Sequence, residues 1–324
     1  MSDVVPVVVV SYNSAKHLKA WLASVEKVKQ ECKKADTDVE PFIVDNGSSD
    51  GTIGIIWDAI HERQIKRRNV WLLRSNQYFV PAQNLAFKIL GARNRYNYGA
   101  TLNPDATAKP GWLHELLDCA RKCVGQKVGM FGGLILQPDH EDRISSAGHC
   151  LRSCDAAFLD IDWNLDLADQ KATHNKQGFG PFSPCFAAGL WSFKMLRDAG
   201  IIDNEQPMYY DDVNLAFKAR IRGWSACFAP AARAYHPLPM PTSDPVKLRH
   251  QFSGRLVIAP RFFPDEERHR VLTECGLTVM SAGDDPLRKE IFRKILALKP
   301  VGSEDARVRA FDIWQDRYVP EKNR

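Results

Sequence analysis

Four short apolar runs rich in β-branched residues recur along the first third of the chain, each separated from the next by a helix-patterned stretch. Val4 to Val10 is apolar on both faces, as a strand inside a parallel sheet requires. Pro41 to Val44, Val70 to Leu73 and Tyr98 to Leu102 read as three further strands. Between the first two, Leu18, Trp21, Leu22, Val25 and Val28 fall at helical spacing with Lys and Glu among them. Thr52 onward and Pro81 to Arg93 read as the next helices, the latter with proline in its first turn. Parallel neighbours need long crossovers, so this alternation predicts an α/β fold: a mostly parallel central sheet flanked by helices.

Open sheets of this kind bind ligands beyond the carboxyl ends of their strands. The polar clusters fall there. Ser11-Tyr12-Asn13 follows the first strand, Asp45-Asn46-Gly47-Ser48-Ser49-Asp50-Gly51 the second, Asn76 the third and Asn103-Pro104-Asp105 the fourth. Four clusters at one sheet edge point to a site more strongly than any one of them.

The chain has 324 residues, 44% hydrophobic and 26% charged, which excludes a disordered chain. Its net charge of +5 suits a polyanionic ligand or an anionic membrane surface and does not mark a nucleic-acid binder. No run approaches the ~18 apolar residues of a membrane span, and no signal peptide is expected, so the expected location is cytoplasmic, free or at the inner face of a membrane. None of the eight cysteines makes a Cys-x-x-Cys pair. Cys119/Cys123 and Cys150/Cys154 stand four apart without a matching His pair, so reduced cysteines, mostly in the core, are expected.

The middle is less regular. Val128 to Leu136 reads as a strand, 139–180 as a polar insertion or lid, and Pro184 to Leu190 as a small-residue strand or turn. Phe193 to Ala199 and Asp211 to Arg222 read as helices, the second capped by Asp211 or Asp212 and ended by Gly223, and Trp224 to Ala229 as a strand. After Pro245 only helical patterns remain. The expected organisation is a catalytic domain at 1–244 and a helical appendage at 245–324.

These residues resemble the family-2 glycosyltransferases. Val8-Val9-Val10-Ser11-Tyr12-Asn13 is similar to that family's first strand and loop, and Asp45 to Thr52 to its second loop. Asn76 and Asn84 keep the spacing of its third segment, and Asn103-Pro104-Asp105 stands at its Asp-x-Asp element. Met208 to Leu215, with Arg220 and Gly223, resembles its Glu-Asp segment, and His236 stands where a later histidine is often found. Asn-Pro-Asp looks most like the rhamnosyltransferase branch. The resemblance implies the A-type glycosyltransferase fold, which is Rossmann-like, and an inverting transfer of a sugar, rhamnose being one candidate. The donor is a nucleoside-diphosphate sugar, dTDP- or UDP-linked, and the acceptor a hydroxyl of a bacterial surface glycan or lipid-linked glycan. A non-catalytic scaffold that binds nucleotide sugar is the alternative, resting on Asn103 in place of a carboxylate. A sugar nucleotidylyltransferase is disfavoured, because Ser11-Tyr12-Asn13-Ser14 replaces its glycine-rich basic loop.

Such a reaction needs a slot for base and ribose, neutralisation of the diphosphate and a base for the acceptor hydroxyl. Ser11, Tyr12, Asn13, Asp45, Asn46, Asn76 and Asn103 are expected to bind the nucleotide. A carboxylate accepts a ring N–H or a ribose hydroxyl, and Gly47 allows close backbone approach. Turn chemistry alone also explains the Asp45 to Thr52 cluster. Asp105 and His236 are expected to hold Mg²⁺ or Mn²⁺, which stabilises charge growing on the leaving diphosphate. Asp211 and Asp212 are the candidates for the base; by family position Asp212 takes that role and Asp211 is its acidic neighbour. Asn84, Gly189 and Arg255 are assigned to the sugars. Lys66-Arg67-Arg68 and the basic, apolar segment 288–299 suggest peripheral membrane contact, with a solvated basic face as the plainer reading. Self-association into a homo-oligomer is among the partners considered.

Overall fold

The computed structural model describes residues 3–152, 157–169, 180–205, 207–237, 257–281 and 296–315, with 254, 289 and 293 besides. The chain begins with β1 (Asp3–Ser11), α1 (Ala15–Lys33), β2 (Thr37–Asp45), α2 (Thr52–His61), β3 (Val70–Leu72), α3 (Phe79–Ala92) and β4 (Tyr98–Leu102). This is the alternation expected from sequence, with boundaries shifted by a few residues. Next come β5 (Thr107–Ala108), α4 (Trp112–Lys122), β6 (Val128–Gln137) and β7 (His140–Ser146). They are followed by β8 (His149–Arg152), β9 (Ala157–Asp160), β10 (Ala188–Ser192), α5 (Phe193–Ala199), α6 (Asp211–Ile221) and β11 (Ser225–Tyr235). Helices α7 (Asp265–Ser281) and α8 (Glu304–Gln315) close the described chain.

Among the described residues one sheet of nine strands runs β3-β2-β1-β4-β10-β6-β11-β5, with β7 on β6; β8 and β9 form a separate hairpin. β1 pairs in parallel with β2 and β4, β2 with β3, and β6 with β11. β10 lies antiparallel between β4 and β6, and β5 and β7 are also antiparallel to their neighbours. The strands β1, β2, β3, β4, β6 and β11 therefore point one way. The sheet is mostly parallel, and the loops leaving those six strands share one edge.

Each face of the sheet buries its own core. On one, Trp21, Leu22 and Val25 of α1 and Trp112, Leu113 and Leu116 of α4 cover Val7, Val9 and Ile43. On the other, Phe87, Phe193 and Phe217 from α3, α5 and α6 cover Val8, Phe42 and Met130. β1 alternates between these layers, which is why it is apolar on both sides. The described part of the polar segment 139–180 holds β7, β8 and β9.

The described part of the C-terminal segment packs onto α6. The rings of Phe217 and Phe262 stack with centroids 5.2 Å apart and planes 2° from parallel, and Phe263 lies 5.8 Å from Phe217. Arg261 pairs with Asp203 at 2.9 Å, and the Val301 amide donates to the Arg261 carbonyl at 2.8 Å. The expected helices at Glu266–Glu274 and Ala306–Gln315 appear as α7 and α8; most of 248–258 and 287–298 lies outside the described residues.

Among the described residues no helix is long and apolar enough to cross a membrane. Of the two basic segments suggested for membrane contact, Lys66-Arg67-Arg68 is exposed and also makes local pairs. Lys66 and Arg68 pair with Glu40 at 2.8 and 3.8 Å, Arg95 joins the same carboxylate, and Arg67 donates to the Val70 carbonyl.

If the aromatic stack joins the C-terminal segment to the sheet, Phe217→Ala should lower unfolding stability by about 3–5 kcal/mol in guanidinium titration. A cost under about 1 kcal/mol would show that the contact carries little.

Candidate active site

The loops at the carboxyl edge interlock before any ligand is considered. Asp45 ends β2 with no exposure to water. Its Oδ1 accepts from the Ser11 and Ser48 hydroxyls at 2.9 and 2.6 Å, and its Oδ2 from the Ser48 amide at 2.9 Å. Asn46 is also buried; it donates from Nδ2 to the Tyr78 carbonyl at 2.9 Å and accepts from the Gln77 amide at 2.8 Å. Asn13 accepts from the Ser49 amide, and its own amide donates to Ser48 Oγ, both at 2.9 Å. Asp50 accepts from the amides of Ala15 and Thr52, so one carboxylate serves the amino ends of α1 and α2. Gly47, at φ +76°, is pressed against the Ser75 backbone, where a Cβ would come within 2.7 Å.

Sequence reasoning gave these residues to the nucleotide directly. The structure turns Ser11, Asp45 and Asn46 inward, where they hold three loops together, and the close approach at Gly47 is to the next loop. Tyr12, Asn13 and Asn76 face outward, as does Tyr78. Asn84 and Gly189, expected at the sugars, are both buried. Asn84 is buried on α3 and donates to the Ile202 carbonyl and Asn204, both at 2.8 Å, because α3 packs against that loop. Gly189 lies inside β10, where a Cβ would meet the Cys185 carbonyl and the Trp191 ring at 3.1 Å, a tight fit that favours a small residue. Arg255 lies outside the described residues.

Beside this rim opens a cleft of about 580 Å³, lined by Asn103, Asp211, Asp212 and His236 together with Ser146, His149, Phe158, Asp160 and Trp163. His236 leaves the end of β11. Its Nε2 is 3.3 Å from Asp105 Oδ1 and 3.4 Å from Asn103 Nδ2, so residues 133 apart in sequence join at one corner. Burial alone would raise the Asp105 pKa, but the hydrogen bond and charge of His236 outweigh it and hold the carboxyl below its ordinary range. A carboxylate that stays ionised and an imidazole nitrogen are a fitting donor pair for a divalent cation whose remaining ligands come from a diphosphate and water.

On the other wall, α6 presents Asp211 and Asp212 in its first turn. The chain reaches that turn through Tyr209 and Tyr210, both left-handed at φ +62° and +57°. Asp211 is buried, and burial followed by the charge of Asp212 pushes its pKa up to about 8. Asp212 stays partly exposed; its Oδ2 lies 3.6 Å from His149 Nδ1, and its Oδ1 accepts from the Val213 amide at 2.9 Å. The adjacent carboxylates thus divide: Asp211 protonated at neutral pH, Asp212 open to the cleft.

His149 and Asp160 were not legible as site residues. They sit on the β8–β9 hairpin, which the sequence shows only as a polar stretch. His149 Nδ1 is 2.9 Å from Ser183 Oγ, and its Nε2 is 3.4 Å from Asp160. Burial works against its charged form, but Asp212, Asp160 and Asp211 together raise its pKa. His149, Cys185 and Asp212 also offer three ligand atoms within 4.8 Å of one another.

The family model for glycosyl transferase family 2 matches residues 7–132. An N-acetylglucosaminyl-diphospho-decaprenol L-rhamnosyltransferase of Mycobacterium tuberculosis is 27% identical over 254 residues, covering 73% of this chain and 76% of that protein. Among solved structures, GalNAc-T7 with UDP, GalNAc and Mn²⁺ superposes with a TM-score of 0.63 at 14% identity, over 97% of this chain and 58% of that one. S. aureus TarS does so with a TM-score of 0.51 at 15% identity, over 83% and 42%. The chain thus spans about three fifths and two fifths of those two structures. These likenesses establish the A-type glycosyltransferase fold.

The buried Asp211 sets a pH dependence. Below about pH 4 its carboxyl is protonated in the folded and unfolded chain alike; between there and about pH 8 only the unfolded chain ionises it, so stability falls as pH rises. Asp211→Asn should therefore melt above wild type by roughly a few degrees at pH 8, the gain shrinking towards pH 5, in thermal-shift scans. A constant difference at every pH would contradict the assignment.

Proposed function

We propose that this chain, whose residues 7–132 match the model of glycosyl transferase family 2, is a nucleotide-sugar-dependent glycosyltransferase that runs an inverting reaction between the two walls of this cleft. The observation that carries it is one open cleft lined by His236, with Asp105 at 3.3 Å, on one side and by Asp212 on the other. The donor's base and ribose lie along the outward residues Tyr12, Asn13 and Asn76, with the Tyr12 ring offering a face to stack on. Asn103, Asp105 and His236 hold the diphosphate end. Asp105 and His236 would hold a divalent cation there, Mn²⁺ or Mg²⁺, which would supply positive charge to offset that of the leaving diphosphate.

Asp212 takes the proton from the acceptor hydroxyl as its oxygen attacks the anomeric carbon, opposite the departing diphosphate. Attack from that side inverts the centre and needs no covalent intermediate. Asp211 is protonated at neutral pH, so it adds no second negative charge beside the base. His149 lies between Asp212 and Asp160, fixes the orientation of Asp212 and faces the proton that Asp212 gains. Trp163, exposed on the rim, offers a flat face to an acceptor sugar.

The M. tuberculosis relative acts, by its name, on a lipid-diphosphate glycan with rhamnose. That supports dTDP-rhamnose as donor and a diphosphate-linked glycan as acceptor, used at the inner face of a membrane. Release of nucleoside diphosphate should be measured for the purified chain with dTDP-, UDP- and GDP-sugars, with and without acceptor. Release from one donor, dependent on acceptor and abolished by EDTA, is expected; equal release without acceptor would overturn the reading.

Asp212→Asn should lower kcat about a thousandfold while leaving the donor dissociation constant within about twofold. Full turnover by this variant would remove Asp212 from the role of base. His149→Asn should lower kcat about tenfold to a hundredfold with donor affinity unchanged, in the same assay.

A further inference from the structure

At the edge of the sheet opposite the cleft, three cysteines from two distant segments meet. We propose that Cys119, Cys123 and Cys227 form a zinc site with three thiolate ligands that ties α4 to β11. Cys119 and Cys123 stand four apart at the end of α4 and so share one face of the helix. Cys227, near the start of β11, faces them: its sulfur lies 2.8 Å from that of Cys119, and all three sulfurs fall within 4.8 Å of one another. Two sulfurs bound to one tetrahedral zinc ion, at about 2.3 Å each, lie roughly 3.8 Å apart, so the set is close enough to share an ion once Cys119 and Cys227 part by about 1 Å.

The surroundings suit a cation. The three cysteines are partly exposed and border a cleft of about 480 Å³, also lined by Glu115 and Asp118, with room for a water as fourth ligand. The site lies at the carboxyl end of α4, where the last carbonyls favour positive charge. Lys122, on the same cleft, is paired with Asp118 at 2.6 Å. An all-sulfur donor set selects zinc over the hard cations that a diphosphate uses. Binding releases three thiol protons to solvent as three Zn–S bonds form.

The role is structural. Cys227 and His236 stand nine residues apart along β11, about 30 Å of strand, so this metal is remote from the catalytic corner. Cys119 and Cys227 are 108 positions apart in sequence, and closing so long a loop constrains the unfolded chain strongly.

The test uses the full chain, reduced and stripped of metal, titrated with Zn²⁺ and in parallel with Co²⁺ as its spectroscopic substitute. One ion per chain, a thiolate-to-cobalt absorption band, protection of three thiols from alkylation and a higher melting temperature with zinc are expected. Cys119→Ser and Cys227→Ser should each lose the band and weaken binding at least about tenfold. Cys185→Ser, which removes the sulfur beside His149 and Asp212, should keep the band. The proposal fails if wild type shows no thiolate band, if the band survives Cys227→Ser, or if it disappears in Cys185→Ser alone. It also fails if peptide mapping finds Cys119 disulfide-bonded to Cys227 and the reduced protein takes up no zinc. Alkylation of wild type decides the matter even if a variant does not fold.

Discussion

A carboxylate sealed from water must find partners inside the protein, and Asp45 organises the rim of this molecule by that requirement. Its two oxygens gather Ser11 and Ser48, which fixes the end of β1 against the end of β2. Asn46 extends the lock to the loop after β3 through Gln77 and Tyr78. The Val80 amide then reaches the Pro207 carbonyl at 2.9 Å, just ahead of the turn that delivers Asp211 and Asp212. Left-handed non-glycine residues recur along this line at Asn13, Tyr78, Tyr209 and Tyr210. Each such conformation costs on the order of 1–3 kcal/mol and persists only where its surroundings over-determine it. Here the hydrogen bonds do so, and the rim is shaped before substrate arrives.

The charge arrangement follows a similar economy. The corner formed by Asn103, Asp105 and His236 carries one carboxylate where the resembled pattern has two. The imidazole keeps that carboxylate ionised by hydrogen bond and charge, so the corner holds one anion without two acids repelling each other, and its nitrogen becomes a metal donor once it gives up its proton. On the facing wall the repulsion is present and is resolved by burial. Asp211 keeps its proton, and Asp212 stays beside an imidazole whose own charge is favoured first by Asp212 and then by Asp160. Two acids adjacent in sequence thus acquire different chemistry from their depth alone.

The strands and the polar clusters were legible because both are local signals: apolar runs, turn residues and the order in which they alternate. What local signals leave open is the direction a polar side chain takes. Asp45 and Asn46 read as ligand contacts, with turn chemistry as the alternative, and in the structure both are buried and brace the rim. Helix α4 is absent from the expected elements although Trp112, Leu113, Leu116, Leu117 and Ala120 carry the helical spacing; its signal was readable. His149 differs. Nothing in the segment 139–180 distinguishes it, since its meaning comes from an antiparallel hairpin that places it against a helix more than sixty residues away. The cysteine cluster is of the same kind: the spacing of Cys119 and Cys123 is visible, and its third member arrives only through the parallel pairing of β6 with β11.

Helix α6 shows why the expected boundary at 245 marks a change of composition that the packing crosses. Its first turn bears Asp211 and Asp212. Its middle presents Phe217 to Phe262 and Phe263 of the C-terminal segment. Arg220, in its last turn, donates to the carbonyls of Pro181 and Phe182 at 2.7 and 3.0 Å, which fixes the segment carrying Ser183, the partner of His149. The helix ends with the Gly223 amide on the Arg220 carbonyl and the Trp224 amide on that of Ala219, the pairing that a left-handed glycine at this position permits. One rigid rod therefore sets Asp212, the imidazole beside it and the entry into β11, beyond whose far end stands His236. A rod held on its outer side by aromatic rings from the C-terminal segment transmits any loosening there to both walls of the cleft. The geometry of the cleft thus depends on residues that do not line it.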